Sequence, residues 1–218
     1  MHNGIRERLK VLSTTNVSDA LESKGLDGAT YGILPTWEGC NKIVGEAVTV
    51  KITAAGVKKS ESHLGVNAIE LAKEGDIILI DNGGRLDVSC WGGILANGAK
   101  SKGLEGVVVD GACRDIDDFV DEKFSVYSRG AVVSTARGRI MEEATNVTVQ
   151  FGGVQVNPGD IVFADRSGVV IIPKVNLEEV LDKAEELFQK EEDMIREIKN
   201  GASMKEVDTK YNYEKMLK

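Results

Sequence analysis

Within nine residues the sequence sets four carboxylates around a single guanidinium: Asp110, Arg114, Asp115, Asp117 and Asp118, in the stretch GVVVDGACRDIDDF at 106–119. One base cannot neutralise four acids, so the stretch is either a solvated turn or the seat of something positive. Arg114 offers a planar fork of donors that suits a carboxylate or a phosphate. Asp115 offers hard oxygens of the kind that Mg2+ or Mn2+ takes, and these cations keep several waters and need only one or two carboxylates. Asp117 and Asp118 read as first-turn acids favoured by a helix dipole. A second stretch, DNGGRLDVSCWGGIL at 81–95, ends in small residues that open a helix. The free amides of its first turn, at Gly92, Gly93, Ile94 and Leu95, would attract the same kind of anion.

Other chemistry-bearing side chains are sparse. His63 is the only histidine away from the N-terminus; one histidine makes neither a metal cluster nor a triad, and it reads as a surface or core residue. Ser89 and Cys90 lack the His and Asp partners that nucleophilic catalysis needs. Cys113 reads as a small buried side chain and Trp91 as a packing residue.

The elements that must hold these groups are legible from periodicity. TTNVSDALESKG (14–25) has hydroxyls in front, apolar residues at helical spacing and a glycine behind, which predicts a helix. KIVGEAVTVKITA (42–54) is β-branched and partly alternating, which predicts a strand. A short helix, a stop at Gly75 and an apolar strand Ile77–Ile80 ending at Asp81 follow. The pattern then repeats with a helix near 92–102, a stop at Gly103 and a strand Val107–Val109. Consecutive helix-then-apolar-strand units predict strands buried on both faces of a parallel or mixed sheet. Ligands in such folds gather beyond the carboxyl ends of the strands, where Asp81 and the Arg114-Asp115 pair would emerge together. Residues 146–173 read as several short strands with Gly-Gly and Pro-Gly-Asp turns. From Asn176 an amphipathic helix runs to about residue 200, with Leu177, Val180, Leu181, Ala184, Leu187 and Phe188 on one face. Asn176 with Glu179 resembles a capping box, and Glu179/Lys183 and Glu186/Lys190 are favourable pairs. One α/β domain over 1–218, with 176–200 as a C-terminal helix, is the expected organisation.

Bulk properties narrow the function class. The chain has 218 residues, 42% hydrophobic and 28% charged, with a net charge of −8, and a pI near 5.0. No basic cluster stands out, Lys58-Lys59 being too short, so a nucleic-acid partner is not expected. Three cysteines at no metal-like spacing suit a reducing compartment. No apolar run approaches the length of a membrane span and the first residues lack an apolar leader core, so no membrane role and a cytoplasmic location are expected.

The stretch LIDNGGRLDVSCWGGILANGAKSKGLEGVVVDGACRDIDDF (79–119) resembles the core of the 4-hydroxy-4-methyl-2-oxoglutarate aldolase family, whose fold is shared with the regulator of ribonuclease activity A proteins. TTNVSDALESKG, GEAVTVK and VQVNPGDIVFADRSGVVIIP extend the resemblance over nearly the whole chain. It implies an αββα sandwich of the swivelling-domain type, assembled as a homotrimer or hexamer with sites at subunit boundaries. It implies a divalent-metal pyruvate aldolase with oxaloacetate decarboxylation as a companion activity. Substrate contacts would come from Gly92, Gly93, Ile94, Leu95 and Arg114, and the metal would sit on Asp115, with waters filling its other positions.

One position departs from that pattern. The aldolases usually carry an acid where this chain has Gly93. Retro-aldol cleavage needs a base for the 4-hydroxyl proton, whereas decarboxylation does not, so this departure is expected to hurt aldol cleavage more. Two other readings stand beside it. One is a non-catalytic protein that binds and regulates a ribonuclease, although that branch tends to lack the acid that Asp115 supplies. The other is a lyase on a different β-keto or 2-oxo acid, with AAGVKKSESHLG (54–65) as a stretch where substrate-side loops could differ.

Overall fold

The computed structural model describes residues 3–57 and 62–212; Lys58, Lys59 and the rest of 58–61 lie outside the described residues. In chain order the first half comprises α1 (Asn3–Val11), α2 (Thr14–Ser23), β1 (Leu34–Pro35), β2 (Ile43–Ala54), α3 (Val66–Leu71), β3 (Ile77–Ser89), α4 (Gly93–Ser101), β4 (Gly106–Cys113) and α5 (Ile116–Asp121). The second half comprises β5 (Val126–Ala131), β6 (Ile140–Thr145), β7 (Val149–Phe151), β8 (Val154–Val156), β9 (Ile161–Asp165), β10 (Gly168–Ile172), α6 (Leu177–Lys199) and α7 (Met204–Tyr211).

β2, β3, β4 and β5 lie parallel in that order. β9 pairs antiparallel with the first half of β2 and β6 with its second half, while β10 continues beyond β9 and β1 lies on β5. Past β10, Ile171 N donates to Gly28 O at 2.8 Å and Thr30 N to Val169 O at 3.0 Å. That same segment runs on into β1 at the opposite edge, so the mixed sheet curls almost closed.

Side-chain alternation along these strands divides the apolar residues into three cores. Ile77, Leu79, Val108, Val162 and Ile171 point into the curl, where the β7–β8 hairpin plugs the interior with Val149, Phe151 and Val156. Ile78, Ile80, Val107 and Val109 point outward under α3, α4 and α5. Ile161, Phe163, Val170 and Ile172 meet α1, α2, α6 and α7.

Two strands run further than periodicity predicts. β3 does not end at Asp81: Gly83 (φ 59°) and Gly84 (φ 72°) both take left-handed backbone, and the strand bulges twice, meeting β4 again at Arg85 opposite Gly111 and at Ser89 opposite Ala112. β4 likewise continues through Asp110 to Cys113, paired with β5 by Ala112–Gly130 and Cys113–Ala131. The last helix begins differently from the expected capping box. Asn176 closes a short 3-10 turn and makes no side-chain cap bond, its amide donating instead to Glu179 at 2.5 Å. The Glu186–Lys190 pair forms at 2.6 Å, whereas Lys183 reaches Glu186 and leaves Glu179 facing Lys24. Among the described residues no helix is long and apolar enough to cross a membrane.

Candidate active site

The ends of β3 and β4 are zipped together by backbone bonds. Cys90 N donates to Ala112 O at 3.1 Å and Arg114 N to Trp91 O at 3.0 Å, while Ser89 Oγ donates to Trp91 O at 2.8 Å. This ladder brings Gly92 out of one strand beside Arg114 from the other. α4 starts immediately, with Ala96 N bonded to Gly92 O and no side chain capping its first turn. Ile94 and Leu95 amides therefore have no carbonyl within the helix to meet.

Asp115 is held in the left-handed region (φ 60°, ψ 46°), a conformation that costs a non-glycine residue free energy. It stands at the N-cap of α5 without capping it. Its Oδ2 instead accepts the Gly93 amide of α4 at 3.1 Å and lies 3.4 Å from Arg114 Nε. Its Oδ1 has no partner among the described residues. Both side chains remain more than a third exposed, at 37% for Arg114 and 40% for Asp115. Gly92 is required by this packing: a Cβ there would come within 2.7 Å of Asp115 Oδ2 and 3.3 Å of Arg114 Cγ.

These groups open onto a cavity of about 260 Å³. Trp91, Leu95 and Val66 supply apolar wall, and His63, Thr135 and Arg137 close the side contributed by other segments. Arg114, Asp115, Gly92, Ile94 and Leu95 all line it, whereas Gly93 contributes its amide to Asp115 from behind. The structure thus gathers the sequence-predicted groups at one place. Asp110 is excluded from it, being buried within β4, where its carboxylate accepts from Arg129 Nε and from Gly152 N at 2.8 Å. Asp81 is also elsewhere, half-buried at the β3 bulge, where burial, reinforced by the nearby Asp110, pushes its carboxyl upward against the bond from Gly83.

Asp117 and Asp118 are exposed in the first turn of α5, as the sequence suggests. Asp118 has a further consequence: its Oδ2 lies 1.6 Å from where a Cβ on residue 93 would stand. His63 and Arg137 are the lining groups that sequence reasoning missed. Neither sits in a motif, and they reach the cavity from 26 positions before Ser89 and 24 positions after Cys113, so only tertiary structure reveals them. Cys90 also lines the cavity, but burial pushes its thiol above the ordinary cysteine range and leaves it a poor nucleophile.

Among the described residues no three His, Cys, Asp or Glu side chains cluster as a metal cage. A cation bound entirely by protein ligands does not fit. One carboxylate with a free oxygen, open to solvent, fits a hard cation that retains its waters.

A nearly closed mixed sheet, helices on its outside and an Arg-Asp pair facing a glycine-opened helix define the class of protein. The sequence matches the RraA-like family (Aldolase/RraA) over residues 14–171, and the chain belongs to that family. It is 31% identical to Protein DlpA of Legionella pneumophila over 93% of its own length, and spans about a third (33%) of that relative. It is 35% identical to a Halalkalibacterium halodurans protein named "Putative 4-hydroxy-4-methyl-2-oxoglutarate aldolase", over 81% of this chain and 80% of that one. Among solved structures it is similar to Streptomyces coelicolor RraAS2, described as "an unusual member of the RNase ES inhibitor RraA protein family". That likeness has a TM-score of 0.79 and 26% identity, over 88% of this chain and 96% of the other.

Proposed function

We propose that the chain is a lyase assisted by a divalent cation, Mg2+ or Mn2+, that releases pyruvate from 2-oxo acids. The substrates are acids of the 4-hydroxy-4-methyl-2-oxoglutarate type, cleaved by retro-aldol chemistry, or oxaloacetate, decarboxylated, or both. The observation that carries this reading is the Asp115 carboxylate, which leaves its own helix uncapped and sits instead beside Arg114 and on the Gly93 amide of α4. The relative named as an aldolase supports it.

Arg114 and the Ile94 and Leu95 amides would hold the carboxylate of the acid, which sets the adjacent keto oxygen on the Asp115 side. A divalent cation on Asp115 would supply Lewis-acid polarisation of that oxygen as the C3–C4 bond breaks. Trp91, Leu95 and Val66 would offer an apolar wall to the carbon chain of the acid. Carbon dioxide is the leaving fragment for oxaloacetate, and an oxo acid for the aldol substrate.

The test is pyruvate release from a panel of 2-oxo acids with Mg2+, with Mn2+ and with excess chelator. Metal-dependent release is expected, falling about 100-fold or more in Asp115→Ala, as loss of several kcal/mol of charge stabilisation implies. Undiminished turnover by metal-stripped Asp115→Ala would sink the reading. A second reading, a ribonuclease-binding regulator, is favoured by the likeness to RraAS2 and by the net charge of −8, which suits masking a basic surface. Capture of a purified ribonuclease, undisturbed by Asp115→Ala and without pyruvate release by the wild-type chain, would select it.

A further inference from the structure

His63 borders the same cavity as Arg114 and Asp115, on the wall opposite in sequence origin, together with Arg137. It also borders an adjoining cavity of about 330 Å³, so it stands where the two spaces meet. Its Nδ1 lies 3.0 Å from Leu64 O. A carbonyl only accepts, so Nδ1 carries the hydrogen and, in the neutral ring, Nε2 keeps a bare lone pair. The backbone that aims the ring is anchored: Leu64 is buried, and Glu142 of β6 accepts both the Gly65 amide and the Asn67 side chain at 2.8 Å.

The other polar groups on this cavity are committed or unsuited. Ser89 Oγ is bound to Trp91 O, Cys90 is a poor acid, and Thr135 Oγ1 accepts from Arg137 N at 3.3 Å. Asp115 has one oxygen on Gly93 and Arg114. The charged groups that line these cavities with His63 are Arg114, Asp115 and Arg137, and Glu142 accepts the nearby Gly65 amide.

Resting on the lyase reading above, we propose that His63 is the general base of aldol cleavage. Its Nε2 takes the proton of the hydroxyl on C4 of the substrate. The oxygen lone pair forms the new C4 carbonyl, the C3–C4 bond breaks, and its electron pair passes into the enolate of pyruvate. Protonation at C3 from the His63 imidazolium completes pyruvate and returns the ring to neutrality. Nothing is oxidised or reduced. Decarboxylation of oxaloacetate has no hydroxyl to deprotonate and makes no such demand on His63.

The experiment compares wild type with His63→Gln on 4-hydroxy-4-methyl-2-oxoglutarate and on oxaloacetate, each with Mg2+. The ratio of aldol cleavage to decarboxylation should fall about 100-fold or more, the usual contribution of a general base. The wild-type pH profile for aldol cleavage should show a loss of activity on its acid side that the variant lacks. Independently of turnover, the imidazole 15N spectrum of wild type should show the hydrogen on Nδ1. Equal losses on both substrates, an unchanged ratio, an acid limb retained by the variant, or a hydrogen on Nε2 would each overturn the role of His63 and leave the lyase reading standing. A wild type that only decarboxylates also overturns it, and one that attacks neither substrate removes both proposals.

Discussion

Arg114 and Lys at the same position would carry equal charge but not equal geometry. The guanidinium presents a planar fork, whereas an ammonium is a point charge on a flexible stem. Arg114→Lys is therefore expected to lower kcat/KM about 10- to 100-fold, the cost of one bidentate charge-assisted pair; steady-state kinetics on oxaloacetate would check it. Gly93 matters for a reason the sequence concealed. Asp118 Oδ2 occupies the space of a Cβ on residue 93, so any side chain there must displace that carboxylate. Gly93→Ala should lower the melting temperature, and adding Asp118→Ala should recover most of the loss, giving a coupling of about 0.5–3 kcal/mol in a double-mutant cycle. The Arg114-Asp115 pair was legible because residue types and adjacency sufficed. His63 was not, because a lone histidine acquires meaning only from what the fold sets around it.

Strands and helices were legible where periodicity was strong and obscure where a bulge or a buried pair decided the outcome. The apolar cores of β3 and β4 announced themselves, but their continuation past Asp81 and Asp110 depends on two left-handed glycines and on pairing with β5. Asp110 ties the β7–β8 hairpin to the sheet through Gly152 N and holds Arg129. Asp110→Ala should cost about 2–3 kcal/mol in denaturant unfolding, since hydrogen bonds to a charged group are lost and partners are left unmet. Asp81 offers a pH test of the bulge. Burial, with Asp110 nearby, raises its folded pKa above the ordinary value of 3.8. Its stabilising contribution is thus complete below that value and lost as pH rises through the folded pKa. Asp81→Asn keeps the acceptor for Gly83 and removes the ionisation, so its melting temperature should exceed that of wild type at pH 7, with no gain at pH 3.

For the molecule as a whole, the sequence resemblance and the near-closed sheet agree on the RraA-like family, and the family includes chains named for different activities. The acidic balance, −8 over 218 residues, excludes little by itself. What discriminates is local: whether the convergence of β3, α4, β4 and α5 receives a cation and an anion together. That convergence came from strand register, which a helix-and-strand reading could anticipate only as a shared sheet edge. The most direct measurement is a crystal structure with Mn2+ and oxalate, a planar mimic of the pyruvate enolate, using anomalous scattering to locate the metal. The account predicts one manganese coordinated by Asp115 with waters completing its shell, and oxalate seated on Arg114 and the first-turn amides of α4. Manganese and oxalate bound elsewhere, with Asp115 still turned to Gly93 and facing only solvent, would contradict it.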